Sequence, residues 1–192
     1  MEDYNLLSDR WIQRLNLILL TALALTASGF AQSGKTQTPP PPAIDLRNGV
    51  SFEISPHTGA MGGSGMFGMR LSMNYSALNM EVAAAQAIGE SANLYPITLN
   101  FLLNLSTSGR LLPYGLVGGG LFMTVPTNAI GTGTVSTMGV NFGGGARFYL
   151  NNTFGFRLEA KQYLTNVTNE LESRDELFIF QEISVGVTFM FR

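Results

Sequence analysis

Residues 182–192, E-I-S-V-G-V-T-F-M-F-R, constrain this chain more than any other stretch. Ile183, Val185, Val187, Phe189 and Phe191 alternate with Glu182, Ser184, Gly186, Thr188 and Met190. A period of two gives a strand with one apolar face. The alternation runs through to the last residues with no cap, turn or polar tail. An apolar strand with an unpaired edge recruits other chains, and soluble proteins avoid it. Pairing the last strand with the first removes the edge. The stretch therefore predicts a closed barrel with its apolar face outward.

The rest of the chain repeats this pattern. Val50, Phe52 and Ile54 oppose Ser51, Glu53 and Ser55, and Phe67, Met69, Leu71, Met73 and Tyr75 oppose Gly68, Arg70, Ser72 and Asn74. Leu78, Met80, Val82 and Ala84 form a third apolar row, and Tyr95, Ile97, Leu99, Phe101, Leu103 and Leu105 a fourth. Tyr114, Leu116 and Phe122 are assigned to a fifth, among many glycines. Met138, Val140, Phe142, Ala146, Phe148 and Leu150 make a sixth; Phe154, Phe156, Leu158, Ala160 and Leu164 make a seventh. With residues 182–192 these are eight strands, an even number as an up-and-down barrel requires. The expected fold is all-β: a closed eight-stranded antiparallel up-and-down transmembrane β-barrel over residues 46–192.

The front of the chain reads as export machinery. Residues 15–27 are an uncharged apolar run of signal-peptide length, too short to cross a bilayer as a helix. Gly29 and Ala31 supply small residues at the usual positions, which puts the end of a signal peptide (residues 1–31) after Ala31. An uncleaved anchor helix is the alternative. Residues 32–45 then form a linker, whose four consecutive prolines favour an extended spacer in a periplasm.

Composition agrees with a membrane wall. Charged residues are 12% of the chain, against about 25% in ordinary soluble domains, and mean hydropathy is +0.18. A formal charge of −2 argues against a nucleic-acid partner. With no cysteine there are neither disulfides nor thiolate metal sites. Nothing in the sequence calls for a cofactor.

Connection lengths alternate. Those near Ser76 and Ala77, at 106–110 and at 150–153 are short. Those at 57–65, 88–94, 125–134 and 167–176 are longer and richer in glycine or charge. Short turns on one side and long loops on the other fit a barrel with periplasmic turns. Both ends of the chain then lie in the periplasm.

These segments carry a resemblance. P-Y-G-L-V-G-G-G-L (113–121), G-V-N-F-G-G-G-A-R-F-Y-L (139–150) and F-G-F-R-L-E-A-K-Q-Y (154–163) resemble small bacterial outer-membrane β-barrel domains of the broad OmpA/OmpX-like group. Ser184, Gly186, Phe189 and Phe191 resemble the signal that such proteins present to the barrel-assembly machinery; Arg192 after the aromatic departs from it. The resemblance implies an outer-membrane location in contact with lipid and lipopolysaccharide. It names no activity, because the group shares a scaffold rather than a reaction.

Charge in a lipid-facing position costs about 2–4 kcal/mol at mid-membrane, so strand charges should point inward. Glu53, Arg70, Glu81, Arg147, Arg157, Glu159, Lys161 and Glu182 share the inward parity, four acidic and four basic. They are read as a salt-bridged plug in a lumen just wide enough for side chains. A buried catalytic or proton-relay cluster is the functional alternative.

Other candidates are weaker in chemistry. Gly118, Gly119 and Gly120, and Gly143, Gly144 and Gly145, lack the following helix of a phosphate cradle and instead allow close approach of the wall. His57, the single histidine, is expected in the first outer loop near Ser55 and Ser64, where a lipid A deacylase or acyltransferase could use it. No orienting acid is assignable, so no catalytic residue is expected. Residues 169–176, N-E-L-E-S-R-D-E, form an acidic outer loop whose carboxylates could meet divalent cations, although no calcium-loop spacing is present. Tyr75, Tyr114, Phe148, Phe154, Phe189 and Phe191 are assigned to an interfacial girdle. A soluble lipocalin-like carrier would reverse the faces, with apolar residues inside and charges outside.

Overall fold

The computed structural model describes residues 44–47, 49–126, 134–169 and 174–192. The expected signal peptide, almost all of the linker, and residues 127–133 and 170–173 lie outside the described residues. Ten strands follow in order: β1 (Ile44–Asp45), β2 (Val50–Met61), β3 (Ser64–Tyr75), β4 (Leu78–Ile88), β5 (Ala92–Asn104), β6 (Ser108–Gly109), β7 (Leu111–Pro126), β8 (Val135–Tyr149), β9 (Phe154–Asn169) and β10 (Arg174–Phe191).

Eight of these form one closed antiparallel barrel in the order β10-β2-β3-β4-β5-β7-β8-β9, sealed by β9 against β10. The strand that carries residues 182–192 pairs with the first barrel strand, Ile183 opposite Ala60 and Phe191 opposite Phe52. No barrel edge is left unpaired in this ring, which answers the hazard of an apolar terminal strand. The two remaining strands, β1 and β6, form a separate two-stranded sheet.

Alternation sets the two faces. Phe67, Leu71, Val82, Phe101, Leu158 and Val185 point outward and are about half exposed, while Arg70, Arg147 and Asn100 between them are fully buried. An aqueous protein would not leave this apolar row in water and fold its arginines inside. The faces are those of a membrane barrel, the reverse of a soluble carrier.

Three expectations change here. Tyr114, Leu116 and Phe122, expected in an outward apolar row, are all buried in the lumen. Antiparallel partners share a face, and Leu112 pairs with the inward Arg147, so every second residue from Leu112 on β7 also faces inward. The long loop expected at 57–65 is a hairpin: β2 runs to Met61 and β3 starts at Ser64. Gly62 and Gly63 make the turn at φ 57° and 87°, the left-handed pair that two-residue hairpins require. The long loop expected at 88–94 is likewise short: only residues 89–91 separate β4 from β5.

Candidate functional site

The lumen is where the chemistry-bearing side chains converge, and pleating explains why. Each strand sends alternate residues inward, so β2 delivers Glu53, β3 Arg70, β4 Glu81, β8 Arg147, β9 Arg157, Glu159 and Lys161, and β10 Glu182. All eight are at most 4% exposed.

They meet in two groups. Nearer the Ser76–Ala77 end, Glu53 Oε1 accepts from Asn74 Nδ2 at 2.7 Å and from the Tyr149 hydroxyl at 2.6 Å. Arg147 Nη1 lies 3.4 Å from the same oxygen. In the middle of the barrel, Arg157 Nη1 meets Glu81 Oε2 at 2.5 Å and its Nη2 pairs with Glu159. Arg70 Nη2 lies 3.0 Å from Glu159 Oε1 and 2.8 Å from Glu182 Oε1. Lys161 Nζ bridges the same two carboxylates at 3.1 and 3.3 Å. Hydroxyl donors take further lone pairs: Ser72 on Glu81 at 2.9 Å, Tyr114 on Glu159 at 2.6 Å and Tyr163 on Glu182 at 2.5 Å. Ionised groups held this far from water persist only with such partners.

Tyr114 joins the two groups. The guanidinium carbons of Arg147 and Arg157 each lie 4.9 Å from its ring centroid, a cation–π position for each. Sequence reasoning missed it because β7 has no charge to mark its inner face. Glycine makes the space: a Cβ on Gly145, opposite Tyr114 on β8, would lie 2.5 Å from the tyrosine oxygen.

Apolar layers lie beyond the ions at both ends. At the Gly62–Gly63 end, Met61, Met66, Ala87, Phe122 and Tyr163 cluster, with Phe180 against them. Phe122 meets Tyr163 and Phe180 edge-on at 5.4 and 5.8 Å, and Tyr163 stacks on Phe180 at 5.0 Å. At the other end Ile44, Leu46, Leu112, Tyr149 and Met190 cluster.

His57 is not in a loop. It sits within β2, faces the lumen and is 6% exposed. Its Nδ1 lies 3.4 Å from the Ser55 carbonyl oxygen, and the Ser55 hydroxyl is engaged with Thr188 at 2.9 Å. Ser64 pairs with Met61, further along the strand than the Gly68 opposite His57. The three residues form no nucleophile–base pair. Among the described residues no group of His, Asp and Glu is arranged to hold a metal ion. Residues 170–173 of the acidic loop lie outside the described residues.

The glycine runs lie in paired strands, Leu116 opposite Gly143 and Gly118 opposite Asn141. On β10, Ser184 and Gly186 face inward, and Ser184 Oγ accepts from Arg70 Nη2 at 2.8 Å. Phe189 and Phe191 face outward with Tyr75, Phe148 and Phe154, and Phe154 meets Phe189 at 5.5 Å. These five make an aromatic band at the Ser76–Ala77 end; Tyr114 is not part of it.

The family description "Outer membrane protein beta-barrel domain" matches residues 17–191. The chain belongs to this family. Its members are outer-membrane proteins, so the apolar outer wall of this barrel faces the lipid of an outer membrane. The N-terminal β-barrel domain of Pseudomonas aeruginosa OprF superimposes with a TM-score of 0.58 at 17% identity, covering 73% of this chain and 97% of that one. Neisserial surface protein A gives 0.52 at 13% identity, over 73% of this chain and 94% of that one. At such identities the likeness concerns the fold of this outer-membrane barrel. No curated protein matches the sequence.

Proposed function

We propose that this outer-membrane barrel has a structural or surface-interaction role, with an interior that neither conducts nor catalyses. The observation that carries the reading is the pairing of Arg157 with Glu81 at 2.5 Å. These residues stand on β9 and β4, on opposite sides of the eight-strand ring, so their contact spans the lumen. Eight strands leave room for side chains and little else. The carboxylates are paired with cations, which leaves none poised as a general base. A lipid-modifying enzyme built on His57 would need that ring at the lipid or outer surface, whereas it is buried inside the wall.

The barrel works as a monomer with lipid and lipopolysaccharide around it. Its last strand, with Ser184, Gly186, Phe189 and Phe191, is what the barrel-assembly machinery reads. The end with the Ser76–Ala77 turn and both ends of the barrel sequence face the periplasm; the Gly62–Gly63 hairpin faces outward.

Planar-bilayer recording tests the interior: the purified barrel adds no stepwise conductance, and reproducible channel steps would overturn the reading. An epitope inserted between Gly62 and Gly63 tests the orientation, with antibody labelling of intact cells expected. Lipid A acyl chains unchanged after incubation with the barrel are expected, and their release or transfer would establish the enzyme instead.

A further inference from the structure

The apolar layer at the Ser76–Ala77 end contains residues that are not part of the barrel wall. Ile44 and Leu46 are 1% and 3% exposed and pack on Leu112, Tyr149 and Met190. Alternation turns these two inward while Asp45 and Arg47 remain at the surface, joined at 2.9 Å. The barrel closes without them, since its ring consists of eight other strands.

The segment is tied down at three places around the mouth. β1 pairs with β6, Ile44 opposite Gly109 and Asp45 opposite Ser108. The Leu46 amide donates to the Thr107 carbonyl at 2.8 Å, and the Ser76 amide donates to the Leu46 carbonyl at 3.1 Å. Arg192 Nη2 donates to the Asp45 carbonyl at 2.8 Å. One short stretch thus links the β5–β7 connection, the β3–β4 turn and the residue after β10. Behind it stand Tyr149, whose hydroxyl donates to Glu53, and Arg147, opposite Leu112.

We propose that residues 44–46 are a strap that plugs this mouth of the barrel, latched by Arg192 and separable from the barrel itself. Ile44 and Leu46 keep water from the first buried ion pair, Glu53 and Arg147. Arg192 then has a role: its guanidinium holds the strap's backbone. The proposal goes beyond the non-conducting reading and does not rest on it.

The chain has no cysteine, so Leu112→Cys places a single thiol reporter under the strap at a position that is 0% exposed. The folded full-length chain in detergent is challenged with a water-soluble maleimide. Labelling is slow in L112C alone. It rises at least about tenfold when Ile44→Asp and Leu46→Asp are added, because access follows the population of the open mouth. Arg192→Ala gives an intermediate rate, and all variants keep the heat-dependent gel shift of a folded barrel. Unchanged labelling on loosening the strap overturns the plug, and unchanged labelling in R192A overturns the latch. Loss of the gel shift in I44D/L46D overturns separability. Bilayer recordings on I44D/L46D keep the two readings apart: faster labelling without conductance upholds both, and conductance sinks the ion-network reading while the strap stands.

Discussion

Arg157 and Glu81 meet at 2.5 Å although they stand on strands β9 and β4, four places apart around an eight-strand ring. Backbone ladders fix each strand only to its neighbours. A bond across the lumen fixes opposite walls to one another. Arg70 on β3 reaches Glu159 on β9, and Arg147 on β8 reaches Glu53 on β2, each three places around the ring. The ions therefore hold the cross-section of the barrel, and their equal numbers leave no net buried charge to be desolvated alone.

Removing one member of such a pair leaves the lumen with one buried charge in excess. Glu81→Gln leaves Arg157 with Glu159 and Tyr114 but takes away its cross-lumen carboxylate. The expected loss is about 3–5 kcal/mol, the cost of breaking a buried pair, read as a lower urea midpoint in lipid vesicles. The double variant Glu81→Leu with Arg157→Leu should lose less than the sum of its parts, with a coupling of about 0.5–3 kcal/mol. Additive losses would mean that the two groups act separately.

The outward face can be tested by depth. Val82 lies on β4 between Leu71 and Leu99, in the middle of the apolar rows. Val82→Arg is expected to cost about 2–4 kcal/mol, whereas Tyr75→Arg, beside the Ser76–Ala77 turn, should cost about 0–1 kcal/mol. The order matters more than the size. Equal penalties would mean that the two positions see the same medium.

Wherever a charged residue marked one parity, the faces could be read from the sequence. Arg70, Glu81 and Arg157 each sit between apolar neighbours, and the price of charge in lipid decides the side. β7 offered no such mark: Tyr114, Leu116 and Phe122 alternate with Gly115, Val117, Gly119 and Leu121, apolar or glycine on both faces. Its side was set by register to Arg147, a relation between strands that single-strand alternation does not contain. The β2–β3 hairpin was obscured by Pro56 and several glycines, which usually signal a loop. The proline is accommodated opposite Met69 within the ladder. Partner choice in the lumen, such as Tyr114 between two guanidiniums, depends on side chains distant in sequence and was beyond reach.

The strap carries a measurable electrostatic mark. Hydrogen bonds from Arg47 hold the Asp45 carboxyl at about 2, below its usual 3.8. A lowered carboxyl value means that folding favours the ionised form, so its contribution is present above pH 3.8 and is lost as pH falls through about 2. A carboxyl-detected NMR titration should therefore show Asp45 still ionised at pH 3. Arg47→Ala should return its midpoint to near 3.8, because Arg47 is the largest cause. An unchanged midpoint in R47A would remove the ion pair from the account.

Two glycines on β7 separate the roles of the inner and outer wall. A Cβ built on Gly120, which faces the lumen, runs into the Ile97 carbonyl oxygen and the Thr98 Cα of the adjoining strand β5. Both obstacles are backbone and cannot rotate away, so the ladder itself must move. Gly115, on the outward parity of the same strand, has nothing within 4 Å of its built Cβ. Gly120→Ala is expected to destabilise the barrel by about 1–3 kcal/mol, the usual cost of forcing a methyl into a filled site. Gly115→Ala adds a methyl group toward lipid and should leave the midpoint unchanged or raise it, since alanine loses less backbone entropy than glycine in a strand. Urea unfolding of the two variants side by side checks the pair. A G115A variant as damaged as G120A would show that β7 needs glycine for its curvature on both faces, rather than for the close approach of β5 to its inner side.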